Sequence, residues 1–278
     1  MIIVKLGGSE GIDPAATLDD ITELSKSEKV VFIHGGNSTL DTFIRAFGRE
    51  PRLVQNKAGQ VSRFTDAETM DLMLAVYAGL QNKRLVEGFQ QRGINAVGLA
   101  ALDGRIASGP RKDTIRAIED GKSKILRGDY AGSIKQIDPT LISLLTDNGY
   151  LPVLTPPAIS DDGEAINVDG DKLALQLAIE LQADALVILS NTKGLLKDVD
   201  DPDSLITEID VSSEESIEAA MNAAAGRMKK KVQAGCDAVN AGIGKVVFAN
   251  ANTDKPVSQA LAGQGTVLLA SAGIGASS

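Results

Sequence analysis

Two stretches decide the fold: residues 1–9, MIIVKLGGS, and residues 30–38, VVFIHGGNS. Each is an apolar run of strand length that ends in two adjacent glycines. Glycine lets backbone N–H groups approach an anion closely, and a helix that starts at such a loop adds a partial positive charge. Lys5 brings a full positive charge to the end of the first strand. Together the two loops predict a phosphate-binding edge, although either one alone is also typical of a tight strand-to-helix turn.

A third glycine-containing loop, residues 128–132 (GDYAG), is also a candidate phosphate loop. The chain contains neither Gly-x-x-x-x-Gly-Lys-Ser/Thr nor a complete Gly-x-Gly-x-x-Gly, which excludes a P-loop enzyme and disfavours a dinucleotide site. His34 is the only histidine and Cys236 the only cysteine, which argues against a zinc site or a Cys/His nucleophile pair. We interpret His34 as a hydrogen-bonded structural imidazole and Cys236 as a core residue.

The rest of the chain alternates strand-length apolar runs with helical patterns, which predicts an α/β fold with a largely parallel sheet. Strands are predicted at residues 30–33, 96–99, 151–154, 185–189 and 245–248. Helices are predicted at residues 18–24, 67–89, 172–181, 213–223 and 228–239. We expect a single domain over residues 1–278, with an N-terminal lobe at 1–180 and a C-terminal lobe at 181–278.

Two segments interrupt the alternation. Residues 52–65 predict a β-hairpin with a turn near residues 56–59, and residues 104–137 form a longer stretch of short, charged strands. From residue 105 to 135 there are eight basic and four acidic residues, a local net charge of +4. Because the whole chain has a net charge of −9, the remainder carries −13. We refer to residues 105–135 as the basic island and expect both excursions to serve recognition.

The composition excludes several classes of protein. With 278 residues, of which 43% are hydrophobic, the chain can bury a large core. A net charge of −9 argues against general nucleic-acid binding, and no apolar stretch approaches the roughly 20 residues that span a membrane. The first residues predict a strand rather than a signal peptide, and the single cysteine favours a reducing, cytoplasmic location.

Charged residues near two helix starts are further candidates. Asp169 and Asp171 lie two residues apart before a predicted helix, where carboxylates serve either as caps or as site residues. The run 229–231 (KKK) lies early in another helix. Since residues two apart on a helix point about 200° apart, at most one or two of these lysines can enter a site.

Together these motifs resemble the amino acid kinase family. The matching segments, in chain order, are residues 5–8 (KLGG), 34–36 (HGG), 63–66 (RFTD) with 82–83 (NK), 96–99 (AVGL) with 103–104 (DG), 167–171 (NVDGD), 189–194 (LSNTKG) and 226–232 (GRMKKKV). The resemblance covers nearly the whole chain. It is greatest to acetylglutamate kinases and to the related kinase that acts on glutamate or 2-aminoadipate held on an acidic amino-group carrier protein.

The resemblance implies an open α/β/α sandwich that binds an acidic substrate in its N-terminal lobe and ATP, with Mg²⁺, in its C-terminal lobe. Lys5 and Lys231 would neutralise the transferring phosphoryl group, and Asp171 would hold both lysines. The residues implied to contact phosphate, nucleotide or substrate are Gly7, Gly8, Gly35, Gly36, Arg63, Asn167, Ser190 and Gly194. No direct protein ligand to a metal is expected. The chain departs from the family pattern at Asn37, Asp169, Asn191 and Lys193.

The basic island favours the carrier-dependent kinase, because docking an acidic protein needs a local positive surface. The residues expected to dock the carrier are Arg111, Lys112, Lys122, Lys124 and Arg127. Acetylglutamate kinase is the alternative, and a catalytically inactive nucleotide-binding regulatory subunit is the non-enzyme alternative. Hexameric acetylglutamate kinases carry an extra N-terminal helix. Because the first strand here begins at Ile2, we expect a homodimer.

Overall fold

The computed structural model describes residues 1–271 except 57, 58, 60, 120, 121 and 202. Its strands are β1 Ile2–Leu6, β2 Val30–His34, β3 Leu53–Gln55, β4 Val61–Arg63, β5 Ala96–Ala100, β6 Ala107–Gly109, β7 Thr114–Glu119, β8 Lys122–Arg127, β9 Gln136–Ile137, β10 Leu151–Thr155, β11 Ala158–Ser160, β12 Ala165–Ile166, β13 Ala185–Ser190, β14 Leu195–Leu196, β15 Leu205–Ile206, β16 Glu208–Asp210, β17 Lys245–Asn250 and β18 Thr266–Leu269. Its α-helices are α1 Ala15–Leu24, α2 Asn37–Ala46, α3 Ala67–Met73, α4 Asn82–Gln91, α5 Thr140–Asp147, α6 Gly170–Glu180, α7 Glu214–Ala223, α8 Gly226–Asn240 and α9 Pro256–Leu261.

The largest sheet has eight strands in the order β16-β18-β17-β13-β1-β2-β10-β5. Its neighbouring strands run parallel except β17 and β18. β1 lies in the middle and pairs over its full length with β2 on one side and β13 on the other. Because the carboxyl ends of parallel strands meet at one edge, the ends of β1, β2, β10 and β13 are brought together there.

Side chains alternate between two cores on the two faces of this sheet. Ile3, Ile33 and Ile188 face a core completed mainly by α5, α6, α7 and α8. Val4, Phe32 and Val187 face a core completed by α1, α4 and α9. This alternation has the period of two that a strand requires, and apolar residues on both faces are typical of a parallel sheet covered on both sides. The predicted α/β/α sandwich is confirmed.

The predicted strands are found within two residues of their predicted ends, and so are the predicted helices, except that α1 begins three residues earlier than expected. One prediction differs: residues 67–89 form α3, a π-helical stretch at Leu74–Gln81, and then α4, instead of one continuous α-helix. The hairpin predicted at residues 52–65 is present as β3 and β4. Its predicted turn falls partly on residues 57 and 58, which lie outside the described residues. The division into lobes at residue 180 stays a prediction.

The two excursions pack against each other as a pair of hairpins, β3–β4 and β7–β8. Between them lies a small core of Val54, Phe64 and Ala117, with Ile115 and Leu126 packed against it. This core is separate from the two that cover the central sheet. We call the pair the hairpin unit.

The first and last helices are joined by Asp20 of α1, which is only 4% exposed. Its carboxylate accepts hydrogen bonds from the backbone N–H of Val257 at 2.7 Å and of Ser258 at 2.8 Å, and it also pairs with the Ser258 hydroxyl. It therefore caps α9 from a residue more than 230 positions earlier. Within the described ranges, no helix is both long and apolar enough to cross a membrane.

Candidate active site

Three charged side chains meet near the carboxyl ends of the central strands. Lys5 Nζ lies 2.6 Å from Asp171 Oδ1, and Lys231 Nζ lies 3.2 Å from Asp171 Oδ2. Their side chains are 12%, 21% and 19% exposed for Lys5, Lys231 and Asp171, so the group is largely buried. Burial alone would raise the pKa of Asp171, but the two ammonium groups outweigh it and hold that pKa below its ordinary value. The trio is a carboxylate shared by two lysines, with one positive charge in excess.

The two candidate carboxylates at the start of α6, Asp169 and Asp171, have different surroundings. Asp169 is the N-cap: its Oδ1 accepts from the N–H of Asp171 at 2.9 Å and of Lys172 at 3.1 Å. Asp171 is in the first turn, where the helix also favours a negative charge. The cap interpretation therefore applies to Asp169, whereas the interpretation of Asp171 as a site residue stays a prediction.

The two glycine loops touch through their backbones. A Cβ on Gly8 would lie 2.3 Å from the nitrogen of Gly36, and a Cβ on Gly36 would lie 2.9 Å from the Tyr77 ring. The sheet uses two of the four glycine N–H groups: Gly7 donates to Leu189 O at 2.9 Å, and Gly35 donates to Leu6 O at 3.1 Å. The N–H groups of Gly7 and Gly35 are therefore not available to donate to a phosphate, contrary to the expectation from the sequence. These two glycines contribute to the site by having no side chain, which lets the loops approach closely.

Asn37, one of the departures from the family pattern, has a partner. Tyr77 lies in the π-helical stretch and donates its hydroxyl hydrogen bond to Asn37 Oδ1 at 2.9 Å. Burial raises the pKa of Tyr77 well above its ordinary value, so the phenol stays neutral. A π-helical turn widens the helix and re-aims side chains, which is why such turns recur at functional sites.

Arg63 lies at the end of β4 with its side chain only 8% exposed. One of its terminal nitrogens, Nη2, is 2.5 Å from Asp41 Oδ1 of α2. The other, Nη1, is buried without a hydrogen-bond partner. A buried unpaired donor is unfavourable by about 1–3 kcal/mol, so this guanidinium is suited to accept an additional anionic ligand.

The loop at residues 128–132 joins the segments that carry Arg63 and Asn167. Asp129 is fully buried, and its Oδ1 accepts from the N–H of Thr65 at 3.0 Å. The N–H of Tyr130 donates to Thr65 O at 2.7 Å, and Asn167 N–H donates to Tyr130 O at 2.8 Å. Asn167 Nδ2 also donates to Thr65 Oγ1 at 2.9 Å. These backbone groups already hydrogen-bond one another, so they are not available to a phosphate. The loop at residues 128–132 instead links the segment of Arg63 to that of Asn167.

His34 is a structural imidazole. Its ring is 1% exposed, Nδ1 lies 2.9 Å from Gly35 O, and Nε2 lies 3.1 Å from Asn82 Nδ2. With an amide donor at Nε2, the proton belongs on Nδ1, which donates to the carbonyl. Burial lowers the pKa of His34 to about 4, so the ring is neutral at pH 7.

On the C-terminal side of the sheet, Ser190 ends β13, and its hydroxyl lies 3.1 Å from that of Thr192. Asn191 donates from Nδ2 to Glu10 O at 2.7 Å, so this departure ties the loop to the segment after the first glycines. Gly194 has φ +149°, and a Cβ there would lie 2.5 Å from Thr266 Oγ1. Thr266 in turn bonds the N–H of Leu195 at 2.8 Å. Gly194 is therefore required for packing.

The five residues expected to dock a carrier do not share one environment. Lys112, Lys122, Lys124 and Arg127 are exposed. Arg111 is 16% exposed, and it donates to both carboxylate oxygens of Glu164 at 3.0 and 2.9 Å. Its guanidinium also lies 3.6 Å from the centroid of the Tyr130 ring. Arg111 has its charge matched inside the structure, and it is the one member of the five that is not exposed.

Sequence reasoning missed Asp41, Tyr77 and Asp129 as neighbours of the candidate site. Tyr77 lies within the helix predicted at residues 67–89, whose pattern makes it a core residue, and Asp41 lies outside every helix predicted from the sequence. Asp129 was noted only for its glycine neighbours. Their partners lie 22 to 64 residues away in the chain, so no local pattern links them.

The class of protein follows from two features: a parallel sheet with glycine loops at its carboxyl edge, and the trio of Lys5, Asp171 and Lys231 beside them. The chain belongs to the amino acid kinase family: the model of the "Amino acid kinase family" matches residues 1–250. The family and the enzyme class expected from the sequence are confirmed, because the curated relatives are kinases.

Two curated relatives indicate where in the family the chain lies. It is 49% identical over 269 residues to the "[LysW]-aminoadipate kinase" of Deinococcus radiodurans, covering 96% of this chain and 91% of that one. It is 32% identical over 269 residues to the "Acetylglutamate kinase" of Methanopyrus kandleri, covering 96% of this chain and 100% of that one.

Among solved structures, N-acetylglutamate synthase from Neisseria gonorrhoeae, complexed with coenzyme A and N-acetyl-glutamate, superposes with a TM-score of 0.77 at 23% identity. The match covers 98% of this chain but only 60% of the synthase chain. At this identity the likeness shows a shared fold.

Proposed function

We propose that this chain transfers the γ-phosphoryl group of ATP to the side-chain carboxylate of 2-aminoadipate, or of glutamate, attached to an acidic amino-group carrier protein. The products are ADP and an acyl phosphate for lysine or arginine biosynthesis. The observation that carries the proposal is the ion-paired trio of Lys5, Asp171 and Lys231 beside the two glycine loops. The substrate class is supported by the 49% identity to a kinase named for aminoadipate on LysW.

The chemistry needs charge neutralisation rather than a base. A side-chain carboxylate has a pKa near about 4.3 and is already ionised at neutral pH, so the obstacle is one anion approaching another. Lys5 and Lys231 supply two positive charges, and Asp171 holds both ammonium groups in place. His34 is excluded as a base, because its ring is buried and bonded at both nitrogens. Positioned charges of this kind are a main source of catalysis in phosphoryl transfer.

Mg²⁺ would reach the site with the nucleotide. Asp171 is matched by two lysines, so its carboxylate is not available to a metal. No group of three or more metal-ligating side chains lies together within the part of the chain that the structure describes. The ion would therefore be held by phosphate oxygens and water, where it spreads the negative charge of the phosphates.

Arg63 and Asn167 are the residues we propose for the substrate's α-carboxylate. Arg63 offers a buried donor without a partner, and Asn167 is fastened through Thr65 to the segment that follows Arg63. Asp41 neutralises much of the charge on Arg63. We expect the small substrate alone to bind weakly, because little net charge is left to attract it, and the carrier to supply the missing affinity.

Acetylglutamate kinase is the second candidate, supported by the 32% identity to a relative of that name. The carrier-dependent reaction is preferred because the corresponding identity is 49% and because Lys112, Lys122, Lys124 and Arg127 are exposed on the basic island. The deciding experiment measures ADP release with acetylglutamate, glutamate-loaded carrier and aminoadipate-loaded carrier offered separately. Turnover with acetylglutamate alone would favour the second candidate. ATP binding without substrate-dependent ADP release would indicate an inactive regulatory subunit.

We further propose that the enzyme acts in the cytoplasm as a homodimer. β5 is one of the two edge strands of the central sheet, so two copies can continue the sheet across a twofold axis. Light scattering should give a mass near two subunits. A mass near six subunits would contradict this proposal.

A further inference from the structure

The hairpin β3–β4 has two faces with different surroundings. Leu53 is directly opposite Arg63, and Gln55 is opposite Val61. Because side chains alternate along a strand, these four share one face, which we call the Arg63 face. Val54 is on the other face, 4% exposed, and packs against Ala117 of β7 inside the hairpin unit. The Arg63 face is therefore the side of the hairpin that does not meet β7–β8.

The Arg63 face combines a buried cation with two exposed aliphatic side chains. Arg63 is 8% exposed, whereas Leu53 is 58% and Val61 is 43% exposed. Isolated exposed aliphatics are ordinary, but this pair lies on the same short hairpin as the arginine proposed to bind the substrate. The hairpin therefore presents apolar side chains on the same face as the arginine proposed to bind the substrate.

The position of the carrier follows from the chemistry of its attachment, and this step rests on the proposed function. The α-carboxylate and the α-nitrogen of an amino acid are bonded to the same carbon, so the nitrogen lies about 2.5 Å from the carboxyl carbon. If Arg63 binds that carboxylate and the nitrogen is linked to the carrier, the carrier's chain begins beside the Arg63 guanidinium. The carrier's surface must then lie over the hairpin around it.

The size of a protein interface brings Leu53 and Val61 within that surface. A stable interface buries about 800 Å² on each partner, which corresponds to a disc of roughly 16 Å radius. An extended arginine side chain reaches roughly 7 Å, and directly opposed residues have Cβ atoms about 5 Å apart. Both aliphatic side chains are therefore inside the disc.

We propose that the Arg63 face, through Leu53 and Val61, is a contact surface for the acidic protein that carries the substrate. These side chains supply the apolar centre of the contact. The exposed cations of the basic island supply charge at its rim, where it acts mainly on encounter.

The test uses the full-length enzyme with aminoadipate-loaded LysW as the probe. Leu53→Ser combined with Val61→Ser should raise KM for this substrate about tenfold, because the apolar area of two side chains is no longer buried. The matched control is Leu144→Ser with Val199→Ser, two aliphatic residues that are 58% and 78% exposed elsewhere. The control should leave KM unchanged, and neither double variant should alter KM for ATP.

A second pair of variants tests the charge of the partner at the same position. Leu53→Glu and Leu53→Lys both remove the apolar side chain, but only Glu repels an acidic protein. KM for the loaded carrier should therefore be higher for Leu53→Glu, and the difference should shrink as salt is added. Equal KM values for the two variants at low salt would overturn the assignment of an acidic partner to this face.

The remaining outcomes separate the two proposals. If the wild-type enzyme turns over loaded LysW and the serine variant has the same KM, only the contact surface is overturned. If the wild-type enzyme does not turn over loaded LysW, the proposed function is overturned as well. If the serine variant instead lowers the mass measured by light scattering, the face joins two copies of this chain and the proposal is wrong.

Discussion

The trio of Lys5, Asp171 and Lys231, which we propose for phosphoryl transfer, and the hairpin unit are supported by cores of very different size. Lys5, Asp171 and Lys231 project from a central strand and two helices that share the larger cores of the molecule. The hairpin unit carries Arg63 and the exposed Lys122, Lys124 and Arg127, and among its described residues three form its buried core: Val54, Phe64 and Ala117. The groups that we propose for the transition state therefore rest on the larger cores, whereas the groups that we propose to select the substrate rest on a small one, which we expect to open locally more readily.

The largest effect is expected where the support is most rigid. Lys5→Ala and Lys231→Ala should each lower kcat at least about 10²- to 10³-fold, because each removes a charge aimed at the transferring group. Asp171→Asn should be comparably severe, since both lysines lose their shared partner. Steady-state ADP release with saturating substrate checks this, and Lys230→Ala, an exposed neighbour, is the control. Near-normal kcat for Lys5→Ala would mean that the trio is structural.

The next effect concerns His34, which fixes the second glycine loop. Its folded-state pKa of about 4 is below the ordinary 6.5, so below pH 6.5 the unfolded chain binds the extra proton. The contribution of the neutral His34 ring to the free energy of unfolding is therefore fully present above pH 6.5. It is lost as the pH falls from 6.5 to about 4, and the total loss is about 3 kcal/mol. Urea unfolding at several pH values should show this slope, and His34→Gln should flatten it. An equal slope in the variant would assign the acid sensitivity to other groups.

A matched pair of core substitutions tests the comparison of supports directly. Val187→Ala in the central sheet should lower the free energy of unfolding by about 1–3 kcal/mol and reduce Tm. Val54→Ala in the hairpin unit should change Tm less but raise KM for the loaded carrier, because only the local structure loosens. Both valines are buried, at 0% and 4% exposure, so burial does not explain a difference. If the two variants gave the same Tm and KM, the hairpin unit would not be a separate cooperative part.

The smallest effect is expected at the exposed charges. Lys122→Glu with Lys124→Glu should raise KM for the loaded carrier several-fold at low salt, through slower encounter, with little change in Tm. Lys26→Glu with Lys29→Glu, just before the amino end of β2 and therefore at the opposite edge of the sheet from the candidate site, is the control reversal for KM. It is not a control for Tm, because these lysines pair with Glu23 and Asp147. Arg111→Glu should behave differently and lower Tm, because it places two carboxylates, its own and that of Glu164, together in a partly buried position. A salt-independent KM in the Lys122/Lys124 variant would contradict docking by these lysines.

The central sheet could be predicted from the sequence because the residue patterns that specify its strands and turns are local. Apolar runs such as residues 185–189 and the glycines after β1 and β2 specify strands and turns without reference to distant residues. The lysine motif and Asp171 were recognised through their order along the chain, and the structure brings them within ion-pair distance.

What the sequence did not provide are the partners of these residues. Asp41 and Arg63, Tyr77 and Asn37, and Asp129 and Thr65 meet only after the helices and hairpins have packed. The π-helical turn at Leu74–Gln81 has no separate signature, since its residues continue the apolar pattern of an α-helix. The N–H groups of Gly7 and Gly35 likewise looked available until the sheet was seen to use them.

The central place of β1 also affects how the protein is made. β1 is synthesised before both of its neighbours: β2 follows it closely, but β13 begins only at Ala185. At typical synthesis rates of about 5–20 residues per second, one edge of β1 lacks its partner for roughly 10–40 s. During that time an apolar strand edge is open to pairing with other chains. β1, which lies in the middle of the finished sheet, is therefore the strand that we expect to need protection by chaperones during synthesis.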